Sequence, residues 1–336
     1  MMQTIDLPQL HDCDWPLIDV RSPQEYLDDH IPGALNVPLL NDQHRHEVGL
    51  CYKQEGKAAA IALGHQLIGP LEPMLLNQIK ACAPNNQLRL YCARGGLRSH
   101  KMAEFLSQNG FEVKLVKGGY KRYRQEVLST IAQFTQILIL SGYTGSGKTQ
   151  VLQAIKAKGA QVLDLEALAH HKGSAFGHLG MPIQNSSAQF HNDIYEVLKT
   201  FDPNKILWVE NESFIIGKVH MPAPLWQNMQ TAKVIAYQIP VEKRVKLIIE
   251  AYGQFPKSQL MERVVKLSKR LGHEMAQQIC EYIAADQLEK AVPPLLKYYD
   301  KAYAMGRVKR AQAPYIQVDF DHFDANAIAE QLLNMG

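Results

Sequence analysis

The chain has 336 residues, 46% hydrophobic and 21% charged, with a formal net charge of +3; the length calls for two domains, and the charge neither requires nor excludes nucleic acid. Five scattered cysteines without a C-x-x-C pair exclude a disulfide framework and a structural zinc site, as expected in a reducing cytoplasm. No apolar run approaches a membrane span, and the opening Met-Met-Gln-Thr-Ile-Asp has neither the basic flank nor the apolar stretch of a signal peptide, so no membrane partner is expected.

The first third alternates short strands with helices, the pattern of a small parallel α/β sheet. Residues 15–20 read as a strand that ends in Asp19-Val20-Arg21, a carboxylate–guanidinium pair suited to bracing a loop. Ser22-Pro23-Gln24-Glu25 then opens a helix with a capping-box pattern. Residues 30–38 read as a turn and a short strand, with His30 a turn residue rather than an acid or base. Arg45 to Gln54 is an insertion with helical character, followed by an alanine-rich helix to Leu67. Cys51 within it is a spectator thiol or, less simply, a resolving one.

Leu88, Leu90 and Tyr91 form a short buried strand that stops at Cys92. Two glycines and two arginines follow, and Ser99 is placed to N-cap a helix over 101–108. Backbone N–H groups converge where a strand end curls into a helix N-terminus, and they favour an anion there. That field, with Arg94 and Arg98 beside it, is expected to favour the thiolate. A core position would not keep such company, so Cys92 reads as a nucleophile that takes a group from an anionic donor. Residues 113–116 complete the sheet, and ligands of such sheets bind beyond the carboxyl ends of the strands. Residues 117–124 then bring Lys121, Arg122 and further cations together with Tyr120 and Tyr123. This is an RNA-contact composition, and equally that of a solvated helix.

A second domain starts near residue 135, giving units of 1–134 and 135–336. A buried strand over 136–141 runs into Gly142-Tyr143-Thr144-Gly145-Ser146-Gly147-Lys148-Thr149 and then a helix. This is G-x-x-x-x-G-K-T in the strand–loop–helix setting the motif requires. The loop amides wrap a phosphate chain, Lys148 reaches the outer phosphate, and Thr149 can ligate Mg²⁺. The glycine spacing is wrong for a dinucleotide site. An apolar run over 206–209 ends in Glu210, the form of the strand whose acid supports a metal opposite the loop; Glu212, Asp164 and Glu166 are further candidates. Lys172, Gly173 and Ser174 make a second anion-binding turn or a helix end. Beyond 259 the chain is mostly helical, with Arg263, Lys266 and Arg270 at the spacing of one helix face, a stripe for RNA phosphates or a solvated side. Arg307, Lys309 and Arg310 precede a last strand over 315–320.

Asp19-Val-Arg-Ser-Pro-Gln-Glu-Tyr26, His30-Ile-Pro-Gly-Ala-Leu-Asn-Val-Pro38 and the Cys92 loop resemble, in chain order, the three signatures of a rhodanese domain. In that family the cysteine carries a transferred chalcogen. The C-x5-R spacing from Cys92 to Arg98 is one residue longer than a common rhodanese loop and is also that of cysteine-dependent phosphatases. The insertion, the segment Asp164 to Gly177 and the segment Trp208 to Gly217 are similar to segments of the bacterial tRNA 2-selenouridine synthases, which join a rhodanese domain to a P-loop domain in this order. One departure stands at Ile183 to Asn192, where Gln189 and Phe190 still fit the family pattern.

The resemblance implies an α/β fold throughout: an N-terminal rhodanese-like domain and a C-terminal P-loop NTPase-like domain with a helical final part. It implies a transferase acting on tRNA for Lys, Glu and Gln that carries wobble 2-thiouridine. Geranyl diphosphate would bind the P-loop and S-geranylate the nucleoside, with Mg²⁺ on Thr149. Selenophosphate, from a partner that supplies it, would then deliver selenium through a selenopersulfide on Cys92, with Arg94 and Arg98 holding the donor. Two other readings stay open on the residues alone: a rhodanese-related phosphatase, and a P-loop kinase with a regulatory rhodanese module.

Overall fold

The computed structural model describes residues 3–11, 14–309 and 313–335. The chain divides into two units, Met1–Ser129 and Thr130–Gly336. Each is built on a five-stranded sheet whose pairings are all parallel, so both units are α/β.

The first unit contains β1 (Gln3–Ile5), β2 (Leu17–Asp19), α1 (Pro23–Asp28), β3 (Leu35–Asn36), α2 (Asp42–Gln54), α3 (Lys57–Ile68), α4 (Glu72–Cys82), β4 (Gln87–Tyr91), α5 (Leu97–Gln108), β5 (Glu112–Val116) and the start of α6 (Gly119–Gln133). The sheet order is β1-β5-β4-β2-β3. Leu88 and Leu90 of β4 are wholly buried and pack with Ile18, Leu115, Met102 and Leu106. Parallel strands sandwiched by helices read as short apolar runs for this reason. The insertion is the helix pair α2 and α3; α2 starts where Asn41 Oδ1 accepts the His44 N–H at 2.8 Å.

In the second unit β6 (Ile137–Gly142) lies at the centre of the order β12-β11-β6-β8-β7 and is buried along its whole length. Around it are α7 (Lys148–Ala157), β7 (Gln161–Leu163), α8 (Leu165–Leu168), α9 (Ser187–Leu198), β8 (Leu207–Glu210), the ribbon β9 (Ile215–Ile216) and β10 (Val219–His220), α10 (Ala223–Thr231), β11 (Lys233–Gln238), β12 (Tyr315–Asp319) and α16 (Ala325–Leu333). Leu140, Val151, Ile155, Ile235, Ile328 and Leu332 form its main core. The expected helical part is α11 (Val241–Tyr252), α12 (Lys257–Lys266), α13 (Ser268–Leu271), α14 (His273–Ala284) and α15 (Leu288–Lys309). It has a core of its own, built on Leu260, Val264, Ile279, Ile283 and Ala291.

The structure corrects two sequence readings here. The basic stripe is not carried by one helix: Arg263 and Lys266 lie on α12 and Arg270 on the short helix α13 that follows Leu267. Glu262 pairs with both Arg263 and Lys266, at 3.1 and 2.9 Å. Tyr120 and Tyr123 are core residues at 7% and 1% exposure and offer no face to a base, whereas Lys121 and Arg122 are exposed. The side chains of Arg307, Lys309 and Arg310 lie outside the described residues. Among the described residues no helix is long and apolar enough to cross a membrane.

Candidate functional site

β4 delivers Cys92 to its carboxyl end, and α5 begins five residues later with Gly96 as its N-cap. Ser99 is therefore inside the first turn of α5 instead of capping it. There its hydroxyl donates to the Gly96 carbonyl at 3.0 Å and lies 3.2 Å from Cys92 Sγ. The sulfur is also 3.9 Å from the Gly96 carbonyl, and Cys92 is only 3% exposed. A hydroxyl at that distance can give its proton to a thiolate or receive one from a thiol. The start of α6 holds the loop from behind: the N–H groups of Tyr120 and Lys121 donate to the carbonyls of Cys92 and Ala93 at 2.9 and 2.8 Å. Gly119 makes this approach possible, since its φ is +57° and a Cβ there would lie 2.2 Å from the Cys92 oxygen.

Arg94 is exposed on the loop. Arg98 is not free to serve an anion alone, because Glu25 takes its two terminal nitrogens at 2.5 and 3.2 Å. Burial works against the charge of Glu25, yet the hydrogen bond and the charge of Arg98 win and hold its carboxyl down at about 2. Arg45, from the insertion helix α2, reaches the same carboxylate at 3.6 Å. The other arginine of the signature does brace: Arg21 donates to Asp19 Oδ2 at 2.9 and 2.7 Å and to the Asp29 carbonyl at 2.6 Å, over the Tyr120 ring at 4.1 Å. His30 binds the Tyr26 carbonyl at 2.9 Å and stacks on that ring at 4.0 Å, a satisfied turn residue. Cys51 is a buried helix residue with a free thiol.

In the second unit the glycine loop follows the central strand, and α7 starts at Lys148. Gly147, at φ +78°, turns the loop into the helix. The Tyr237 hydroxyl donates to the Ser146 carbonyl at 2.8 Å, and Asn211 Nδ2 donates to Ser141 Oγ at 3.1 Å, so neighbouring strand ends steady the loop. Lys148 is half-buried; burial would lower its pKa, but Tyr303, Glu166, Tyr237 and Glu212 outweigh that and keep it charged. The loop residues Gly142, Gly145, Gly147, Lys148 and Thr149 line one wall of a cavity of about 1020 Å³. Its far walls come from the helical part and are mostly apolar, with Ile248, Leu260, Leu267, Ile283, Leu288 and Leu296 beside the polar tips of Arg270 and several tyrosines.

The acidic residues sort differently from the sequence expectation. Asp164 caps α8, accepting the Ala167 N–H at 2.9 Å, and Glu210 is buried with its carboxylate on the Glu166 N–H at 2.6 Å. Neither lines the cavity; Glu166 and Glu212 do. Their carboxyls hydrogen-bond each other, which requires a shared proton; burial raises both, helped by the charge of Asp164 at Glu166 and by the charge of Glu166 at Glu212. Glu210 is raised further for the same reasons. Among the described residues no three His, Cys, Asp or Glu side chains form a ready metal cage. Thr149 and the cavity carboxylates are donors of the right hardness for Mg²⁺.

With both loops in view, the comparisons with known proteins bear on the whole chain. A rhodanese-like domain model matches residues 6–126, and a tRNA 2-selenouridine synthase AAA domain model matches residues 135–331. A relative in Shewanella loihica called tRNA 2-selenouridine synthase is 34% identical over 342 residues, covering 90% of both chains. The chain belongs to the tRNA 2-selenouridine synthase family. Members from Nitrosomonas europaea and Cronobacter sakazakii are 40% and 39% identical over 74% and 70% of this chain. Those two matches span 66% and 64% of the relatives' own lengths.

Within this family frame, the expected residues Cys92, Arg98, Lys148 and Thr149 occupy two loops of the same type, each a strand end leading into a helix N-terminus. Lys172, Gly173 and Ser174 line the same cavity as the glycine loop, and Arg270 reaches it from α13. Sequence reading missed Tyr303, whose hydroxyl lies 3.3 Å from Lys148 Nζ across 155 residues of chain. It also gave Ser99 and Glu25 only capping roles, although both now touch the groups of the cysteine loop.

Proposed function

We propose that the chain is a tRNA-modifying transferase that converts wobble 2-thiouridine to 2-selenouridine in tRNA for Lys, Glu and Gln, through an S-geranylated intermediate. The single observation that carries the geranyl half is the continuity of the phosphate loop with an apolar cavity. Beyond the loop the cavity offers a run of leucines and isoleucines from the helical part, a surface suited to a hydrocarbon chain. A diphosphate in the loop with a hydrocarbon tail among those side chains matches both walls at once. In the first half-step the bond from the geranyl C1 to oxygen breaks as the bond from C1 to the thiouridine sulfur forms; diphosphate leaves, and the N3 proton of the nucleoside passes to water. Lys148 and the loop amides stabilise the charge that builds on the leaving diphosphate. Thr149 and the cavity carboxylates would hold Mg²⁺, which supplies further charge neutralisation for the diphosphate.

In the second half-step the Cys92 thiolate takes selenium from selenophosphate as the Se–P bond breaks and phosphorus leaves as phosphite, carrying the two electrons. The selenopersulfide attacks C2, the C2–S bond breaks, geranylthiolate leaves, and a thiol reductant then cleaves the S–Se bond to free the 2-selenouridine. Ser99 is placed to manage the proton of the Cys92 sulfur, and Arg94 is the exposed cation of that loop. A cytoplasmic enzyme fed by a selenophosphate-producing partner follows from this reading.

Nucleoside mass spectrometry of tRNA from cells lacking the gene tests it. Complementation with the wild-type chain is expected to restore 2-selenouridine. Cys92→Ser is expected to leave S-geranylated 2-thiouridine, and wild-type levels of 2-selenouridine from that variant would defeat the carrier role. Purified chain that transfers no geranyl group to a thiolated anticodon stem-loop would defeat the other half.

A further inference from the structure

The tip of Lys148 is held by two partners: the Gly142 carbonyl at 3.2 Å and the Tyr303 hydroxyl at 3.3 Å. The Tyr303 ring also lies 5.4 Å from the same nitrogen and meets Tyr143, a residue of the glycine loop, edge to face at 6.2 Å. A second contact keeps this part of α15 against the loop. One turn before Tyr303, Asp300 accepts both terminal nitrogens of the buried Arg244, at 3.0 and 2.6 Å. Arg244 Nε in turn donates to the Thr144 carbonyl, inside the loop, at 2.9 Å. Helix α15 is thus tied to the loop at Tyr143, Thr144 and Lys148.

The lysine of a triphosphate-binding loop spans the second and third phosphates. Here a tyrosine ring, fixed by the Asp300–Arg244 brace, stands at the end of that lysine. We propose that Tyr303 closes the outer end of the cradle, so that it accepts two phosphates in line and rejects three, and that its hydroxyl donates to the outer phosphate. The oxygen of Tyr303 accepts from Lys148 and its proton remains available for a phosphate oxygen. The hydroxyl is a hydrogen-bond donor only, and no bond to it forms or breaks. This inference rests on the diphosphate reading above and gives it a physical cause: the fold is that of a triphosphate site, and one side chain shortens it.

The test is calorimetric titration of the full chain, in excess Mg²⁺, with inorganic diphosphate, tripolyphosphate and geranyl diphosphate. The wild-type chain is expected to bind diphosphate more tightly than tripolyphosphate by about thirtyfold, a size typical of a steric and hydrogen-bonding exclusion. Tyr303→Ala is expected to bring the two within about threefold, by admitting the third phosphate. Tyr303→Phe keeps the ring, so it should retain the preference and lose about fivefold in diphosphate affinity. Equal wild-type binding of the two polyphosphates overturns the proposal, as does a preference that survives in Tyr303→Ala. Unchanged diphosphate affinity in Tyr303→Phe overturns the hydroxyl's part, and this arm decides if the alanine variant does not fold. Geranyl diphosphate binding no more tightly than inorganic diphosphate would sink the geranyl reading and leave the role of Tyr303 standing.

Discussion

The cysteine loop and the glycine loop solve one problem, holding an anion at a strand end, with opposite electrostatics. In the first unit the loop cation, Arg98, is balanced by one carboxylate that it keeps ionised. In the second the loop cation, Lys148, faces carboxyls that burial and neighbouring acids push toward protonation. An arginine with a fixed bidentate partner is a structural strut whose charge is partly spent. A lysine beside protonatable acids is a charge that an incoming polyanion, with its own Mg²⁺, can rearrange. On the function proposed above, the difference sets a rigid pocket for a small donor in the first unit against an adaptable seat for a larger leaving group in the second.

The sharpest way to break this comparison is to remove the reactive centre of each loop. Lys148→Ala should cut geranyl transfer by about 10²- to 10³-fold, as loss of one charge-stabilising donor does elsewhere. The same variant should still exchange sulfur for selenium on RNA geranylated beforehand. Cys92→Ser should do the reverse, and single-turnover assays of each half-step on the two variants would expose any crossover.

Next in size is stability. Replacing Glu25 by Gln leaves Arg98 without its ionic partner and should cost about 1–3 kcal/mol in chemical denaturation. The pH limbs should then separate the two loops. Below its ordinary value of 4.5 Glu25 binds fewer protons folded than unfolded, so its contribution is present above 4.5 and lost as pH falls toward about 2. Glu166 and Glu212 bind more protons folded than unfolded, so their contribution is present below 4.5 and lost as pH rises through their elevated pKa values. Melting curves against pH should show Glu25→Gln flattening the acid limb and Glu212→Gln flattening the alkaline one. A single limb altered by both variants would erase the contrast. The smallest effect is expected at Ser99→Ala, a severalfold loss in selenium transfer with a shifted pH profile and unchanged geranyl transfer, since one neutral hydrogen bond contributes about 1 kcal/mol.

Much of this was legible in the residues. The strand before Cys92, the strand–loop–helix at Lys148 and the parallel α/β character follow from local apolar runs and glycine spacing, which the chain must satisfy wherever it goes. The site's acids were harder. Asp164 and Glu210 had the right positions at strand ends, yet backbone N–H groups claim both, and the residues two further along face the cavity instead. The Glu-x-Glu alternation at Glu210 and Glu212 was the available signal. Tyr120 and Tyr123 read as RNA-stacking rings because composition cannot tell a buried aromatic from an exposed one. The basic stripe was read on one helix, and the structure divides its residues between α12 and α13. Tyr303 left no local signature at all, since its role comes from a contact 155 residues away.

The depth at which Cys92 sits has a metabolic side. A selenium or sulfur atom parked on an exposed thiol would be stripped by the millimolar reductants of a cell, and the bare thiol would be prone to over-oxidation. At 3% exposure, backed by Ser99 and the Gly96 carbonyl, this sulfur can be reached only by partners small enough to enter the loop. On the function proposed above, a scarce element is thereby kept for the nucleoside and away from glutathione.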